Sequence, residues 1–381
     1  MSEYQYYEFL AIDCPLEAKQ MAALRALSTR AEITSTRFTN VYSWGDFKGS
    51  PEKLMEQYFD AHVYVANWGT QLLMLRLPKT LLSKEMLAPY CVEEGLHGWT
   101  KGEHLIIEWH REGEPGDDWV EGEGWMARLM PIREELERGD YRALYLGWLA
   151  AASLDDISEE TSEPPVPMGL GALTAAQHSL VEFLSLDEDF LAAAAQASPP
   201  VSDRADSPHE MVQWVAAIPA DEARQYLLLL LQGKAKQAER EMRQKYTLAR
   251  RAQGSPTTAA SEQKRRTLAE LHTLTERARA EHLERKKRQQ QRTLEKQRQQ
   301  REQYLATLTE DFEQHWREVE DFVAQQIASA YDRARDLLVD LSEAYTLKQN
   351  RDEFLRKFAQ FRAKHSRRSA LSRRLDKAGL K

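Results

Sequence analysis

The sequence predicts an α+β domain at the N-terminus, followed by an all-α region that contains a long helical, coiled-coil-like C-terminal arm. Segments with the two-residue alternation and the aromatic and β-branched residues of strands occur only before residue 112. Neither Gly nor Pro occurs from residue 257 to residue 378, although the 381-residue chain holds 17 Gly and 14 Pro. About ten would be expected in a stretch of that length, so this stretch favours continuous helix.

The first domain is predicted to cover residues 1–154 and to mix strands with helices, which is the α+β pattern. Ser50 followed by Pro51 is the clearest helix start, because it combines an N-cap residue with proline at the first helical position. Turn residues at 67–70 predict a hairpin. The predicted strands are residues 4–12, 33–41, 62–67, 71–77 and 104–110, and the predicted helices are residues 16–27, 51–59, 81–87, 125–137 and 141–154.

An acidic, proline-rich linker is predicted at residues 155–171, and a small helical domain that runs into a basic helix is predicted at residues 172–252. Thr174 or its neighbour is expected to cap the first helix of this domain, and Asp187 is expected to begin the second. Gly233 either ends this domain or is a weak point inside a continuing helix, and the strong helix formers that follow it favour continuation.

The long helical arm is predicted at residues 257–345, with a break at residues 346–350 and a final basic helix at residues 351–378. An apolar stripe predicts one amphipathic helix of some forty residues, about 60 Å long, at its C-terminal end. The average spacing is near 3.7 residues, which differs from the 3.5 of a left-handed coiled coil. The stripe consists of Tyr304, Leu308, Phe312, Trp316, Val319, Val323, Ile327, Tyr331, Ala334, Leu338, Leu341 and Tyr345.

The composition and the absence of known motifs exclude several classes of protein. Two cysteines, Cys14 and Cys91, are too few for a disulfide scaffold or a cysteine-rich metal site. The N-terminus has no signal-peptide pattern and no apolar run is long enough to span a bilayer, so we expect a cytoplasmic protein without membrane contact. No Walker motif, nucleophile elbow or zinc-protease motif occurs, and the sequence predicts no cofactor.

Charge is divided unevenly along the chain. Residues 1–233 hold 17 Lys+Arg against 38 Asp+Glu, whereas residues 234–301 hold 20 against 8. The basic part of the arm is therefore a candidate to bind nucleic acid or another polyanion without sequence specificity. The alternative is a solvated helix supported by pairs such as Glu281–Arg285 and Glu284–Arg288. The candidate residues are Arg285, Lys286, Lys287, Arg288, Arg292, Lys296, Arg298 and Arg301.

A polar strand face provides the second candidate site. His104, Glu108 and His110 alternate along one predicted strand and therefore point to the same side. Two imidazoles and a carboxylate are suitable ligands for zinc or non-haem iron, and His62 or Asp60 could join them from the hairpin. The alternative is that they form the solvent face of a half-buried strand.

The apolar stripe of the arm needs a cover, because a seam of that length is too large to leave in water. We expect it either to pack on residues 234–252 and 262–281 or to bind a protein partner or a second copy through Phe312, Trp316, Ile327 and Leu338. The leading functional hypothesis is a non-enzymatic interaction protein, or adaptor, that binds a protein partner or nucleic acid through its arm. The competing hypothesis is a metal-dependent enzyme with its site on the polar strand face.

Overall fold

The computed structural model describes residues 4–113, 120–154, 157–200, 208–252 and 265–380. Contacts divide the chain into two compact units, Met1–Glu281 and His282–Lys381. The predicted domain boundaries stay predictions, and the predicted start of the arm at residue 257 lies outside the described residues. The fold class is confirmed: an antiparallel sheet with helices is followed by an all-helical region that includes a long helix.

The first unit is built on a seven-stranded antiparallel sheet with the strand order β2-β3-β1-β4-β5-β7-β6. The predicted hairpin is β4 and β5, and Gly69 occupies its turn with a φ of +93° that favours glycine. The predicted strand at 33–41 is divided into two, and the edge strand β6 was not predicted. The strands are β1 (Gln5–Leu10), β2 (Glu32–Ile33), β3 (Arg37–Tyr42), β4 (Ala61–Ala66), β5 (Gln71–Pro78), β6 (Leu96–Lys101) and β7 (His104–Arg111).

Helices cover one face of the sheet and share its larger core. Leu73, Ile107 and Trp109 from the strands pack in the same cluster as helix residues such as Tyr145 and Phe183. This core therefore includes helices on both sides of the predicted linker. The helices are α4 (Trp125–Leu129), α5 (Pro131–Glu137), α6 (Arg142–Ala152), α7 (Ala175–Phe183) and α8 (Glu188–Ala195), and a short α3 (Lys84–Leu87) with a 3-10 turn (Ala88–Tyr90) lies beside β6.

The opposite face packs against α1 (Ala18–Leu27) and α2 (Pro51–Gln57). Leu54 and Met55 of α2 are buried there with Phe9, Phe38 and Met74 of the sheet. The predicted cap is present, because the Ser50 side chain accepts a hydrogen bond from the Lys53 amide. This covering helix changes the environment of the polar strand face.

Three more helices follow: α9 (Pro208–Ala217), α10 (Ala220–Leu231) and α11 (Ala235–Ala252). The prediction that helix continues through Gly233 was wrong. Gly233 has a φ of +74°, and the amides of Gly233 and Lys234 bond to the carbonyl oxygens of Leu230 and Leu229, which closes the end of α10. Helix propensity on both sides could not reveal this left-handed residue.

The long helix α12 (Leu268–Leu308) is anchored to the first unit by its first turns. Residues 159–163 form backbone hydrogen bonds with residues 266–269, including Glu163 N to Arg266 O at 2.9 Å and Leu268 N to Thr161 O at 3.0 Å. Leu268 and Leu271 are buried in the larger core. The Arg266 guanidinium bonds to the buried Glu163 carboxylate through two nitrogens, at 2.7 and 2.6 Å. These contacts therefore fix the N-terminal end of α12 to the core of the first unit.

The second unit is a compact helical fold around a core of its own. It contains the end of α12 together with α13 (Phe312–Ala324), α14 (Ala328–Leu347), α15 (Arg351–Lys364) and α16 (Ser369–Lys377). The predicted single helix across the stripe was wrong, since it is interrupted after Leu308 and again between Ala324 and Ala328, where Gln326 has a φ of +58°. The break predicted at 346–350 is confirmed.

Candidate functional site

The basic part of α12 is a helix without tertiary cover. Every residue from 279 to 300 is exposed, and these 22 residues extend over about 33 Å. The exposed apolar residues Leu283 and Leu294 are 54% and 64% accessible. A helix that buries no face is stabilised by its own side-chain pairs, connects two folded domains or binds a ligand or a partner.

Side-chain pairs neutralise only a small part of this helix. Arg288 pairs with Glu284 at 3.0 Å, as predicted, and Arg298 pairs with Glu302 at 2.9 Å. Among the described residues, five of the candidates form no ion pair. Arg285 is one of them, so its predicted pair with Glu281 does not form. The five are Arg285, Lys286, Lys287, Arg292 and Lys296.

The cations lie on all sides of the helix, and three of them share one side. With a turn of 100° per residue, Arg285, Arg292 and Lys296 fall within an arc of about 40°, because they are spaced i, i+7 and i+11. We call these three residues the basic stripe. Lys286, Lys287 and Arg298 lie on other sides of the same helix. A straight stripe of this kind can follow a line of phosphates.

Arg301 has a different environment from the other candidates. Its guanidinium bonds to Asp340 at 2.5 Å and to Glu343 at 2.8 Å, both on α14. These two ion pairs hold the C-terminal end of α12 against α14, where Leu305 and Leu308 are buried with Ala344. Arg301 therefore contributes to the fold of that unit.

The polar strand face is partly buried, which differs from the solvent-exposed alternative. Glu108 is only 8% exposed and lies across from Met74 of β5 and His97 of β6 in the register of the sheet. Helix α2 closes over this face, where Glu56 accepts a hydrogen bond from Trp99 Nε1 at 3.1 Å. Alternation predicted which side Glu108 faces, but not that a helix would cover it.

The acid–base properties of this face follow from its burial. Desolvation, and then repulsion from Glu52 on α2, raises the pKa of Glu108 to about 7. His97 lies 3.9 Å from that carboxylate, but burial and the neighbouring His110 lower its pKa. Its Nδ1 atom is buried without a hydrogen-bond partner. The face therefore holds a carboxyl group that titrates near neutral pH.

Replacing Glu108 with glutamine should make the first unit more stable above neutral pH. The folded-state pKa of about 7 exceeds the ordinary 4.5, so the folded protein binds this proton more tightly than the unfolded chain does. Protonated Glu108 therefore contributes its full stabilisation to the folded state below about pH 4.5, and this stabilisation is lost as the pH rises to about 7. We expect equal stability at pH 4 and a gain of up to about 3 kcal/mol at pH 8 in the variant.

Denaturant titrations at a series of pH values measure this difference. Glu103→Gln is the matched control, because Glu103 lies just before the same strand but is exposed beside Lys79, so its substitution should be nearly neutral at every pH. A Glu108→Gln profile parallel to that of the wild type would contradict the raised pKa.

The predicted metal ligands do not converge. His110 Nε2 lies 3.1 Å from Glu112, and His104 is half-buried at the first position of β7. In the described parts of the chain, no three His, Cys, Asp or Glu side chains are placed to hold one metal ion. His104, Glu108 and His110 remain a prediction that this geometry does not support.

The two residues proposed to join them have other roles. His62 shares the face of Glu108, but Met74 separates them and places them about two strand spacings, or ~10 Å, apart. The His62 ring stacks on Phe9 with centroids 3.8 Å apart, and burial lowers its pKa to about 3. Asp60 is fully buried and bonds to Arg76 and to two backbone amides.

The predicted partner-binding stripe is used inside the second unit. Trp316 and Leu338 are buried in its core, and Phe312 stacks on Tyr345 with centroids 3.7 Å apart. Ile327 is 53% exposed. The cover that the stripe requires comes from α15 and α16 and from the stripe's own helices. Partner binding by these four residues remains untested.

An exposed set of leucines on α10 is the surface that the sequence reading missed. Leu227, Leu228, Leu230 and Leu231 are 59%, 55%, 45% and 85% exposed. The signal was visible as an unbroken run of five leucines, Leu227 to Leu231, which a helix with one buried face cannot place entirely inside.

No family model matches this chain, and the searches found no curated protein and no solved structure with significant similarity to it. Among the described residues, no helix combines the length and the apolar character needed to cross a lipid bilayer.

Proposed function

We propose that the protein is a non-enzymatic interaction protein whose basic stripe on α12 binds a polyanion, namely nucleic acid. This binding does not depend on the nucleotide sequence. One observation carries the proposal: residues 279–300 form an exposed helix on which most cations have no acidic partner among the residues that the structure describes. Mutual repulsion among unpaired cations weakens such a helix, and an anionic ligand relieves it.

The shape of the surface limits what is bound. A helix of about 33 Å matches ~10 base pairs of duplex, since the two strands carry one charge per ~1.7 Å of axis. The stripe offers three long side chains to phosphates, and glutamines fill much of the remaining surface. Phosphate contacts fix position and carry no sequence information, so affinity should be similar for duplexes of different sequence.

We place this activity in the cytoplasm, and the support is that Cys14 and Cys91 are both unpaired and exposed. Free exposed thiols are typical of reducing compartments. An acidic protein partner remains the alternative ligand for the same stripe, because carboxylates satisfy the same cations.

Neutralising the basic stripe should weaken binding to a mixed-sequence duplex by on the order of 100-fold at ~0.1 M salt and reduce the salt slope by about 2.7. The variant is Arg285→Gln, Arg292→Gln and Lys296→Gln in the full chain, and fluorescence anisotropy across a salt series is the measurement. Glutamine preserves helix propensity, so α12 should remain folded.

The matched control removes three cations from other sides of the same helix: Lys286→Gln, Lys287→Gln and Arg298→Gln. It has the same net charge but keeps the stripe, so it should lose much less affinity. Equal losses in the two variants would reject the stripe, and no binding by the wild type at low salt would reject the function. Preferential binding of an acidic polypeptide would assign the stripe to a protein partner.

A second candidate function is favoured by one observation, the near-neutral pKa of Glu108 beside His97 with its unpartnered Nδ1. Groups that titrate near neutral pH can serve as general acids or bases, and the metal-dependent enzyme is the form of this candidate that the sequence suggested. Elemental analysis of the purified protein tests it, because a stoichiometric transition metal would favour that enzyme over the adaptor.

A further inference from the structure

Helix α10 has apolar residues on two opposite sides. Its inner face, formed by Glu222, Tyr226 and Leu229, packs against α11: Glu222 pairs with Lys245 at 2.5 Å, and that lysine lies 5.9 Å above the Tyr226 ring. Tyr226 is only 5% exposed. The side of α10 that contacts its own chain is therefore accounted for.

In the structure as described, no residue covers the outer face of α10, which is formed by Leu227, Leu228, Leu230 and Leu231. These leucines occupy an arc of about 160° on the opposite side of the helix from Leu229. In the described parts of the chain, no residue of α9, α10 or α11 belongs to any of the hydrophobic cores. Leu231, at 85% exposure, is almost as accessible as in an unfolded chain.

The amount of apolar surface matches that of a specific interface. Met211, Val212 and Val215 of α9 are 43%, 65% and 55% exposed, and only two residues separate α9 from α10. Together with the four leucines, these side chains offer an area on the order of the ~800 Å² that each partner buries in a stable complex.

The charges at the two ends of α10 indicate what covers it. Asp221 lies in the first turn and is 90% exposed at its side chain, and Lys234 lies just beyond the last turn and is also exposed. If two copies of α10 pair antiparallel about Leu227, Asp221 of one copy lies opposite Gly233 of the other and therefore next to its Lys234, twice by symmetry. The same register places each Leu231 over Ala223, a large residue against a small one.

We propose that the outer face of α10 is a homodimer interface in which two copies of this chain pair their α10 helices antiparallel, with reciprocal contacts between Asp221 and Lys234. The proposal is independent of the polyanion function. It explains why leucines remain on a surface that the chain itself leaves open. Helices α9 to α11 lack a large core of their own, so packing against a partner would add stability that their own contacts do not supply.

Sedimentation of the full chain over a concentration series up to about 100 μM tests the proposal. The wild type should form a dimer, and Leu227→Asp with Leu231→Asp should raise the dimer dissociation constant on the order of 100-fold or more. The matched control is Leu283→Asp with Leu294→Asp, two exposed leucines on α12 that should leave the dimer intact. A monomeric wild type, or a dimer unaffected by the α10 variant, would overturn the proposal.

A charge exchange tests the antiparallel register and the identity of the partner. Asp221→Lys alone and Lys234→Asp alone should each weaken the dimer roughly 5-fold, since each creates two like-charge contacts. The double variant should restore the wild-type affinity, because the pair is re-formed with its signs exchanged. The Asp221 pair with Arg224 within the same helix is exposed and contributes little to stability. Failure of the double variant to recover would reject this interface.

Discussion

Replacing Arg266 with alanine should lower the free energy of unfolding of the first unit by about 3–5 kcal/mol. Arg266 is the only cation that bonds to Glu163 in the described structure, and that carboxylate is 2% exposed. The same guanidinium also donates to the carbonyl oxygens of Ala193 and Ala194 at the end of α8. Its loss leaves a buried charge and two acceptors without a donor, which is among the most costly single changes.

The environment of Tyr145 makes the loss harder to compensate. Its hydroxyl donates a hydrogen bond to the same Glu163 carboxylate, and burial followed by that carboxylate raises the pKa of Tyr145 well above its ordinary value. The tyrosine therefore stays a neutral donor and cannot balance the charge. Hydrogen exchange should show the first turns of α12 opening before the rest of the unit, because the anchor lies directly before them.

Two variants make the Arg266 result specific. Arg277→Ala, on the same helix, removes an exposed guanidinium with no partner among the described residues and should change stability by less than about 0.5 kcal/mol. Glu163→Leu combined with Arg266→Met removes both charges and should recover a large part of the loss. Equal effects of Arg266→Ala and Arg277→Ala in denaturant titrations would show that the anchor is not energetically significant.

Replacing Leu338 with aspartate should unfold or strongly destabilise the second unit, with a loss of more than about 4 kcal/mol. Leu338 is fully buried in the core formed by α13, α14, α15 and α16. A carboxylate there would have to be buried without a partner, or the helices would have to separate. Leu338→Ala should cause a smaller loss, about 2–4 kcal/mol, in case the aspartate variant does not fold.

Ile327→Asp is the matched control, and we expect the opposite sign. Ile327 is the N-cap residue of α14, and its side chain makes no cap hydrogen bond. Aspartate is a favoured N-cap, so this substitution should be neutral or should stabilise the unit by up to about 1 kcal/mol. Hydrogen exchange resolved by peptide measures the second unit separately from the first. Destabilisation by both substitutions would contradict the assignment of Ile327 to the surface.

The sequence predicted features that depend on neighbouring residues. Ser50 with Pro51, the turn around Gly69 and the caps at Thr174 and Asp187 all form as expected, because capping and turn chemistry act over two to four residues. The two-residue alternation identified β7 for the same reason. The fold class follows from such local signals taken together.

Features that depend on distant segments could not be predicted in the same way. Glu108 is covered by α2, which lies about fifty residues earlier in the chain, so its burial has no signal in β7 itself. The stripe from Tyr304 to Tyr345 keeps its spacing across two interruptions, and periodicity therefore indicated a single helix. Asp311 caps α13 through a hydrogen bond from the Gln314 amide at 2.9 Å, a local signal that the apolar stripe concealed.

The anchor of α12 also determines when the first unit can finish folding during synthesis. Glu163 and Arg266 are 103 residues apart, and Leu268 and Leu271 belong to the same core as Tyr6 from the first strand. Contacts of such long sequence separation require a large loop to close before they contribute. A nascent chain that ends before Leu271 exposes part of this core to water. The core of the first unit is therefore completed only after the first turns of α12 have left the ribosome.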